Sequence, residues 1–355
     1  MKRDANLDII RCIALVLVFC RHFLTGSGVY ALPVSGVAGF SVMLLQIISL
    51  AGVSLFIMLT GYLCCKKELS FRYYLGIIKV FVVYALACLA CLVFKAFYMD
   101  MPLSLWSFLS GIFNHTACGD YGWYVAMYTG LFLLIPFLNV LFNNLPGQGS
   151  KLVLIFTLLY LTAVPLVSNT FVHVYTKWWD NLYPLVYYFI GAYLREYRPK
   201  ISAKKALCLL VLLLLVYSGM DYWNSSSGML LWSAHSSYDG FKATSVTLLI
   251  FILFLKTDLS RWPVFVKHCI EKLSLLSFNI YLLSFISDTL IYDFLRSNVS
   301  SVALRLAFVP LTIAISLVIS FAMAVIINYP AKLIEQGIRA PLLKIENKFI
   351  NKNCS

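Results

Sequence analysis

Asp8-Ile9-Ile10-Arg11-Cys12-Ile13-Ala14-Leu15-Val16-Leu17-Val18-Phe19-Cys20-Arg21-His22-Phe23-Leu24 is the stretch on which the reading of this chain turns. It is apolar enough to enter a bilayer, yet it carries an acid, two arginines and a histidine. Arg11 and His22 are eleven positions apart. At about 100° per residue that is roughly three turns, so the two side chains leave a helix on nearly the same face, about 16 Å apart along its axis. Asp8 precedes Arg11 by one turn on that face, whereas Arg21 points elsewhere. A charge held at mid-bilayer costs at least about 2.5–3.5 kcal/mol on insertion scales, so such groups face polar cavities and mark function. The pattern predicts a membrane helix with one functional wall.

Working outward, the rest of the chain agrees with that setting. Of 355 residues, 61% are hydrophobic and only 12% charged, and apolar segments of about 20 residues recur along the length, as membrane spans require. A soluble chain of this size carries about twice the charge. The first segment is expected to stay attached, because Arg11, Arg21 and His22 interrupt its apolar run and no small-residue cleavage site follows. The net charge of +13 does not point to nucleic acid, because membrane proteins collect Lys and Arg on cytoplasmic loops. Most of the ten cysteines fall in apolar runs, where they act as small packing residues. Cys88-x-x-Cys91 has redox spacing, but within a lipid-embedded helix it reads as packing.

An all-α, polytopic architecture follows. About ten spans are predicted, at 7–25, 41–64, 73–98, 121–143, 151–168, 181–195, 204–220, 241–256, 273–295 and 303–330. With the N-terminus inside, four cations fall on the outer side (Lys177, Lys242, Arg296, Arg305) and four within spans (Arg11, Arg21, Lys79, Lys95). The other twenty of the 28 Lys and Arg residues fall on the inner side. That asymmetry places both termini in the cytoplasm. Residues 1–335 are expected to form one transmembrane domain, and 336–355 a short basic cytoplasmic tail. The outer loops are aromatic or Ser-rich: 99–120 holds Trp106, Phe108 and His115 and no Lys or Arg, and 221–240 holds Trp223, Trp232 and His235. Asn224-Ser225-Ser226 has the form of a glycosylation sequon, relevant only to a eukaryotic secretory protein, which this chain is not expected to be.

Five motifs in order carry a resemblance. Leu-Asp-x-x-Arg followed by ten residues, His22 and Phe23 is the first, and Ser54-Leu55-Phe56-Ile57-Met58-Leu59-Thr60-Gly61-Tyr62-Leu63 the second. Then come Gly122-Trp123-Tyr124-Val125 through Leu134-Ile135-Pro136, Leu276-Ser277-Phe278-Asn279-Ile280-Tyr281-Leu282-Leu283, and Tyr329-Pro330-Ala331-Lys332-Leu333-Ile334-Glu335. Together they resemble the acyltransferase 3 family, bacterial integral-membrane proteins that move acyl groups onto cell-envelope glycans. The sequence departs from the family at three places. Thr60 stands for the usual Ser and keeps the hydroxyl, Ser284 stands where a second histidine is common, and a single arginine, Arg72, with Lys79 two turns on, replaces a pair.

The resemblance implies a membrane O-acyltransferase that takes an acyl group, acetyl by default, from cytosolic acyl-CoA to a hydroxyl of a lipid-linked or envelope glycan. No resident cofactor or metal is expected, and the setting is the bacterial plasma membrane, in contact with its lipids. Acyl transfer needs a base for the acceptor proton, and histidine is the side chain that ordinarily titrates nearest neutrality. His22 is the candidate base, Arg11 the residue that orients the donor, and Asp8 the group that fixes the Arg11 guanidinium. Arg72, Lys79, Thr60 and Tyr62 are assigned to the donor, and Trp123 and Tyr124 to the sugar. Arg21 is read as snorkelling to headgroups, and His115 and Asp120 as loop decoration. His173, His235 and His268 belong to no constellation, and no metal-ligand spacing or glycine-rich phosphate loop occurs. The alternative is a transporter or flippase of an envelope glycan or lipid precursor. Charges inside spans also line transport routes, but such folds show paired repeats with broken helices, and none is evident here.

Overall fold

In a bilayer every backbone N–H and C=O must be satisfied within its own segment, which leaves the helix as the form for a chain of this composition. The structure, a computed structural model, describes residues 4–31, 35–162, 177–225 and 237–353. It is 85% helical, with no strand among the described residues. His173, Trp232 and His235 lie outside them.

In chain order the helices are α1 (Ala5–Gly26), α2 (Gly36–Ser49), α3 (Ala51–Cys64), α4 (Phe71–Tyr74), α5 (Ile77–Tyr98), α6 (Leu105–Phe113) and α7 (Trp123–Asn144). There follow α8 (Gly147–Thr162), α9 (Tyr183–Glu196), α10 (Ala203–Asn224), α11 (Phe241–Leu255), α12 (Val264–Asn298), α13 (Val302–Arg305) and α14 (Val309–Asn353). Every predicted span falls on a helix or a pair of helices, although residues 163–168 of the fifth lie outside the described part. Among the described residues, six stretches are long and apolar enough to cross a membrane: Gly36–Cys64, Phe71–Tyr98, Gly119–Asn144, Ala203–Trp223, Val264–Asn298 and Val302–Lys344. The tail expected after residue 335 is the continuation of α14, which runs through Pro330 and Pro341.

The described residues form two compact units. The first comprises Met1–Cys65, Asn144–Ser277 and Asp288–Ile315; the second comprises Lys66–Asn143, Phe278–Ser287 and Ser316–Ser355. In the first unit, α3 and α9 approach backbone to backbone. A Cβ added to Gly61 would sit 2.0 Å from the Tyr188 carbonyl oxygen, and one on Gly191 would sit 2.0 Å from that of Met58. Small residues at crossing points let membrane helices come this close, which explains the glycine of Thr60-Gly61-Tyr62. Gly52 serves α1 and α3 in the same way, against the Val18 backbone.

Three cations counted toward the inner and outer sides are buried within the first unit. Lys151 is buried in α8, with both oxygens of Glu196 at 2.7 Å. Lys242 is buried at the start of α11 and pairs with Asp221 of α10. Arg305 is buried and donates to the carbonyls of Val299 and Ser27 at 2.8 and 2.7 Å. In each case a buried charge has a partner, which is the condition under which burial is tolerated.

The second unit is held by rings and hydroxyls. Tyr73 stacks on Phe132 with centroids 4.5 Å apart, and the Tyr281 hydroxyl donates to the Tyr121 carbonyl at 2.7 Å. Ser287 bonds both Ser316 and Ser320 at 2.7 Å. Cys88 and Cys91 are buried and unbridged, in keeping with a packing role.

Candidate active site

Two polar pairs join α1 to α12, both within the first unit. Near the start of α1, Asp8 is buried and accepts from the Ser274 hydroxyl at 2.7 Å and from Arg11 Nη1 at 3.1 Å. Arg11 Nη1 also lies 3.4 Å from Ser274 Oγ. Near the end of α1, His22 Nδ1 is 2.9 Å from Asp288 Oδ2, with His22 8% and Asp288 1% exposed. Asp8 and Ser274 are 266 residues apart, as are His22 and Asp288. The two helices therefore run parallel and in step over fourteen residues, or about 21 Å.

The chemistry of the His22 pair follows from its donors. An ionised carboxylate only accepts, so a hydrogen bond from Nδ1 to an ionised Asp288 places the ring proton on Nδ1. The Phe19 ring lies 6.1 Å from the imidazole, and the neighbouring Phe23, Leu24, Tyr292 and Leu295 belong to a buried apolar cluster in which the Tyr292 ring meets Phe23 edge-on at 6.1 Å. An apolar surround strengthens a charge-assisted hydrogen bond and fixes the imidazole plane. The imidazole thus faces a carboxylate, not hydrocarbon.

The remaining sequence candidates separate by unit. In the first, the Thr60 hydroxyl donates to the Phe56 carbonyl of its own helix at 2.9 Å. Tyr62 is 4% exposed, with its ring against Phe251 and beneath the guanidinium of Arg195. Arg21 donates to the Tyr30 hydroxyl at 3.1 Å, so part of its hydrogen bonding is internal where snorkelling was expected. At this end of α1, Asp239 is buried and its Oδ1 has no hydrogen-bond partner; desolvation holds that carboxyl above the usual carboxylate range.

In the second unit, Arg72 is well exposed and 3.9 Å from Glu346, and Lys79 is exposed. The Trp123 indole is 37% exposed, whereas Tyr124 is buried among Trp123, Tyr128 and Tyr281. His115 has a structural partner, its Nδ1 lying 3.1 Å from the Tyr84 hydroxyl. Ser284 is buried and its hydroxyl donates to the Tyr281 carbonyl at 2.8 Å. Among the described residues no group of three or more His, Cys, Asp or Glu side chains is placed to hold a metal.

Asp288 and Ser274 were missed by sequence reasoning. Asp288 had a signal, being an acid inside the ninth predicted span, the same criterion that singled out Asp8. Ser274 had none, since a serine in an apolar helix is common.

A family model described as an acyltransferase domain, that of acyltransferase 3, matches residues 4–325. The chain belongs to the acyltransferase 3 family. The match begins before Asp8 and extends past Asp288, so both pairs lie within it. No curated protein and no solved structure matches the chain. With its apolar helices, this acyltransferase is a multi-pass membrane enzyme. The two ends of α1 therefore belong to a membrane protein that transfers acyl groups.

Proposed function

We propose that this acyltransferase moves an acyl group, acetyl by default, from cytosolic acyl-CoA to a hydroxyl of a lipid-linked or envelope glycan. His22 is the base and Asp288 its positioning partner. One observation carries this reading: a buried imidazole whose Nδ1 is 2.9 Å from a buried carboxylate. That is the arrangement a histidine base needs to hold one tautomer and to stabilise the imidazolium that forms.

The acceptor O–H gives its proton to His22 Nε2 as its oxygen attacks the thioester carbonyl carbon. The tetrahedral intermediate collapses with cleavage of the C–S bond. The CoA thiolate leaves and takes the proton back from the imidazolium, which returns His22 to its starting state. Arg11, oriented by Asp8 and Ser274, steadies the donor at the opposite end of α1. The separation of about 16 Å between Arg11 and His22 is of the order of an extended pantetheine arm, so a donor anchored by its nucleotide can present its thioester near His22.

Ten spans with both termini cytoplasmic complete the proposal, in a bacterial plasma membrane. The parallel course of α1 and α12 supports that parity, because these are the first and ninth predicted spans. Tyr62 and Thr60 are kept on the donor side. On the second unit, Trp123 is kept as a stacking face for the sugar because its indole is exposed. Arg72 and Lys79 are kept as cations open to phosphate. Tyr124, being buried, is assigned to the support of Trp123.

The test is acyl transfer by purified protein in lipid nanodiscs, with radiolabelled acetyl-CoA and membrane glycolipid as acceptor. The expected result is labelled glycolipid with wild-type protein and none with His22→Ala. Transfer by His22→Ala at the wild-type rate removes His22 as the base.

A further inference from the structure

We propose that Arg195, laid across the ring of Tyr62, forms a binding site for the phosphate groups of the acyl donor's nucleotide. The proposal deepens the reading above and rests on the donor being a phosphate-bearing thioester.

Part-buried cations of the first unit have close partners. Arg11 has Asp8, Lys151 has both oxygens of Glu196, and Lys242 has Asp221. Arg305 has two backbone carbonyls at 2.8 Å or less, and Lys267 has the Ser260 carbonyl at 3.1 Å. Arg21 donates to Tyr30. Arg195 differs. Its hydrogen-bond acceptor among the described residues is the Tyr62 phenol at 3.5 Å, the outer limit for such a bond. The carboxylate next to it in the chain, Glu196, is held by Lys151 through both oxygens.

A partly desolvated guanidinium with no anion is costly to keep. Its planar fork carries five N–H donors, enough to hold a phosphate through two parallel hydrogen bonds. The fork is also preorganised. The guanidinium carbon lies 5.1 Å from the centroid of the Tyr62 ring, a cation–π distance. That ring is 4% exposed and rests on Phe251 at 5.6 Å on another side. A guanidinium held in this way loses little freedom when an anion arrives.

The position fits a donor site. Phe251 lies one turn before the end of α11, where the Asn6 side chain donates to the carbonyls of Phe254 and Thr257 at 2.8 and 2.7 Å. Asn6 is two residues before Asp8. Arg195 therefore shares the Asp8 and Arg11 end of this unit, the end that the charge asymmetry assigns to the cytosol, and lies away from His22. Phosphates of a lipid headgroup have the same chemistry, so the experiment separates the two sources.

Full-length protein in detergent is titrated with adenosine 3′,5′-bisphosphate, and separately with short-chain phosphatidylglycerol. Binding of the bisphosphate is expected to weaken by roughly 10- to 100-fold in Arg195→Gln, the loss expected for a charge-assisted contact, with lipid binding little changed. Unchanged bisphosphate affinity in that variant overturns the proposal while leaving the donor reading intact. A loss confined to the lipid overturns it in favour of a headgroup site. Wild-type protein that binds neither acetyl-CoA nor the bisphosphate removes the donor reading and this proposal together. If the variant does not fold, wild-type protein is treated with phenylglyoxal and the modification of Arg195 is read by mass spectrometry. Protection by the bisphosphate supports the site, and equal modification with and without it overturns the site.

Discussion

The two ends of α1 solve the same problem by different means. At the start, Asp8 and Arg11 belong to one helical turn, and Ser274 of α12 adds a hydroxyl to a charge pair already complete. At the end, the acid on the helix face of His22 is fourteen residues back at Asp8, and the carboxylate His22 meets is that of Asp288, 266 residues away. The first pair is local and partly open, with Arg11 28% exposed at its side chain. The second is buried, is drawn from two helices, and depends on α1 and α12 staying in register. A local, half-wet pair suits the holding of a charged ligand, whereas a dry pair across helices suits the fixing of one tautomer.

That contrast can be broken from either end. The largest effect is expected at the buried end. His22→Ala lowers kcat by roughly 10²–10⁴-fold, the usual value of general-base catalysis, as measured by transfer of labelled acetyl in nanodiscs. Asp288→Asn keeps the shape but offers the wrong partner to Nδ1–H. Its kcat falls by about 10²-fold with the donor KM little changed, because a misplaced tautomer affects the chemical step and not binding. A rise in KM alone in this variant assigns Asp288 to binding and erases the distinction between the two ends.

Smaller effects are expected at the open end, and on a different kinetic constant. Arg11→Ala raises the KM for acetyl-CoA by about 10-fold, the scale of one charge-assisted contact, and lowers kcat less. Ser274→Ala leaves the Asp8–Arg11 pair in place and removes one supporting hydroxyl, so KM changes by about 2- to 5-fold. If Ser274→Ala proves as harmful as Arg11→Ala, the pair at this end is not local at all, and α12 governs both ends equally.

The helical architecture was visible in the run of apolar segments. The predicted spans coincide with helices because a bilayer allows almost no other backbone solution. Asp8 and Arg11 were legible as a pair since helix periodicity alone brings i and i+3 together. Lys242 and Arg305 were counted as outer-side cations, and counting charge cannot tell a solvated lysine from one paired inside the fold with Asp221. His115 looked like an exposed loop residue until Tyr84 was seen beside its ring. Gly61 could be quoted as part of a motif, but its reason, a carbonyl of another helix 2.0 Å from where a Cβ would sit, depends on how α3 crosses α9.

From residue order came the membrane class, the face shared by Asp8, Arg11 and His22, and the resemblance that the family match to residues 4–325 upheld. All of these rest on short-range regularities: 1.5 Å and about 100° per residue along a helix, and the avoidance of lipid by charge. Packing alone brought Asp288 to His22, Ser274 to Asp8, and Arg195 to the face of Tyr62. Which helix lies against which is fixed by side chains fitting together across gaps of up to 266 residues, and no periodicity in the chain carries that distance.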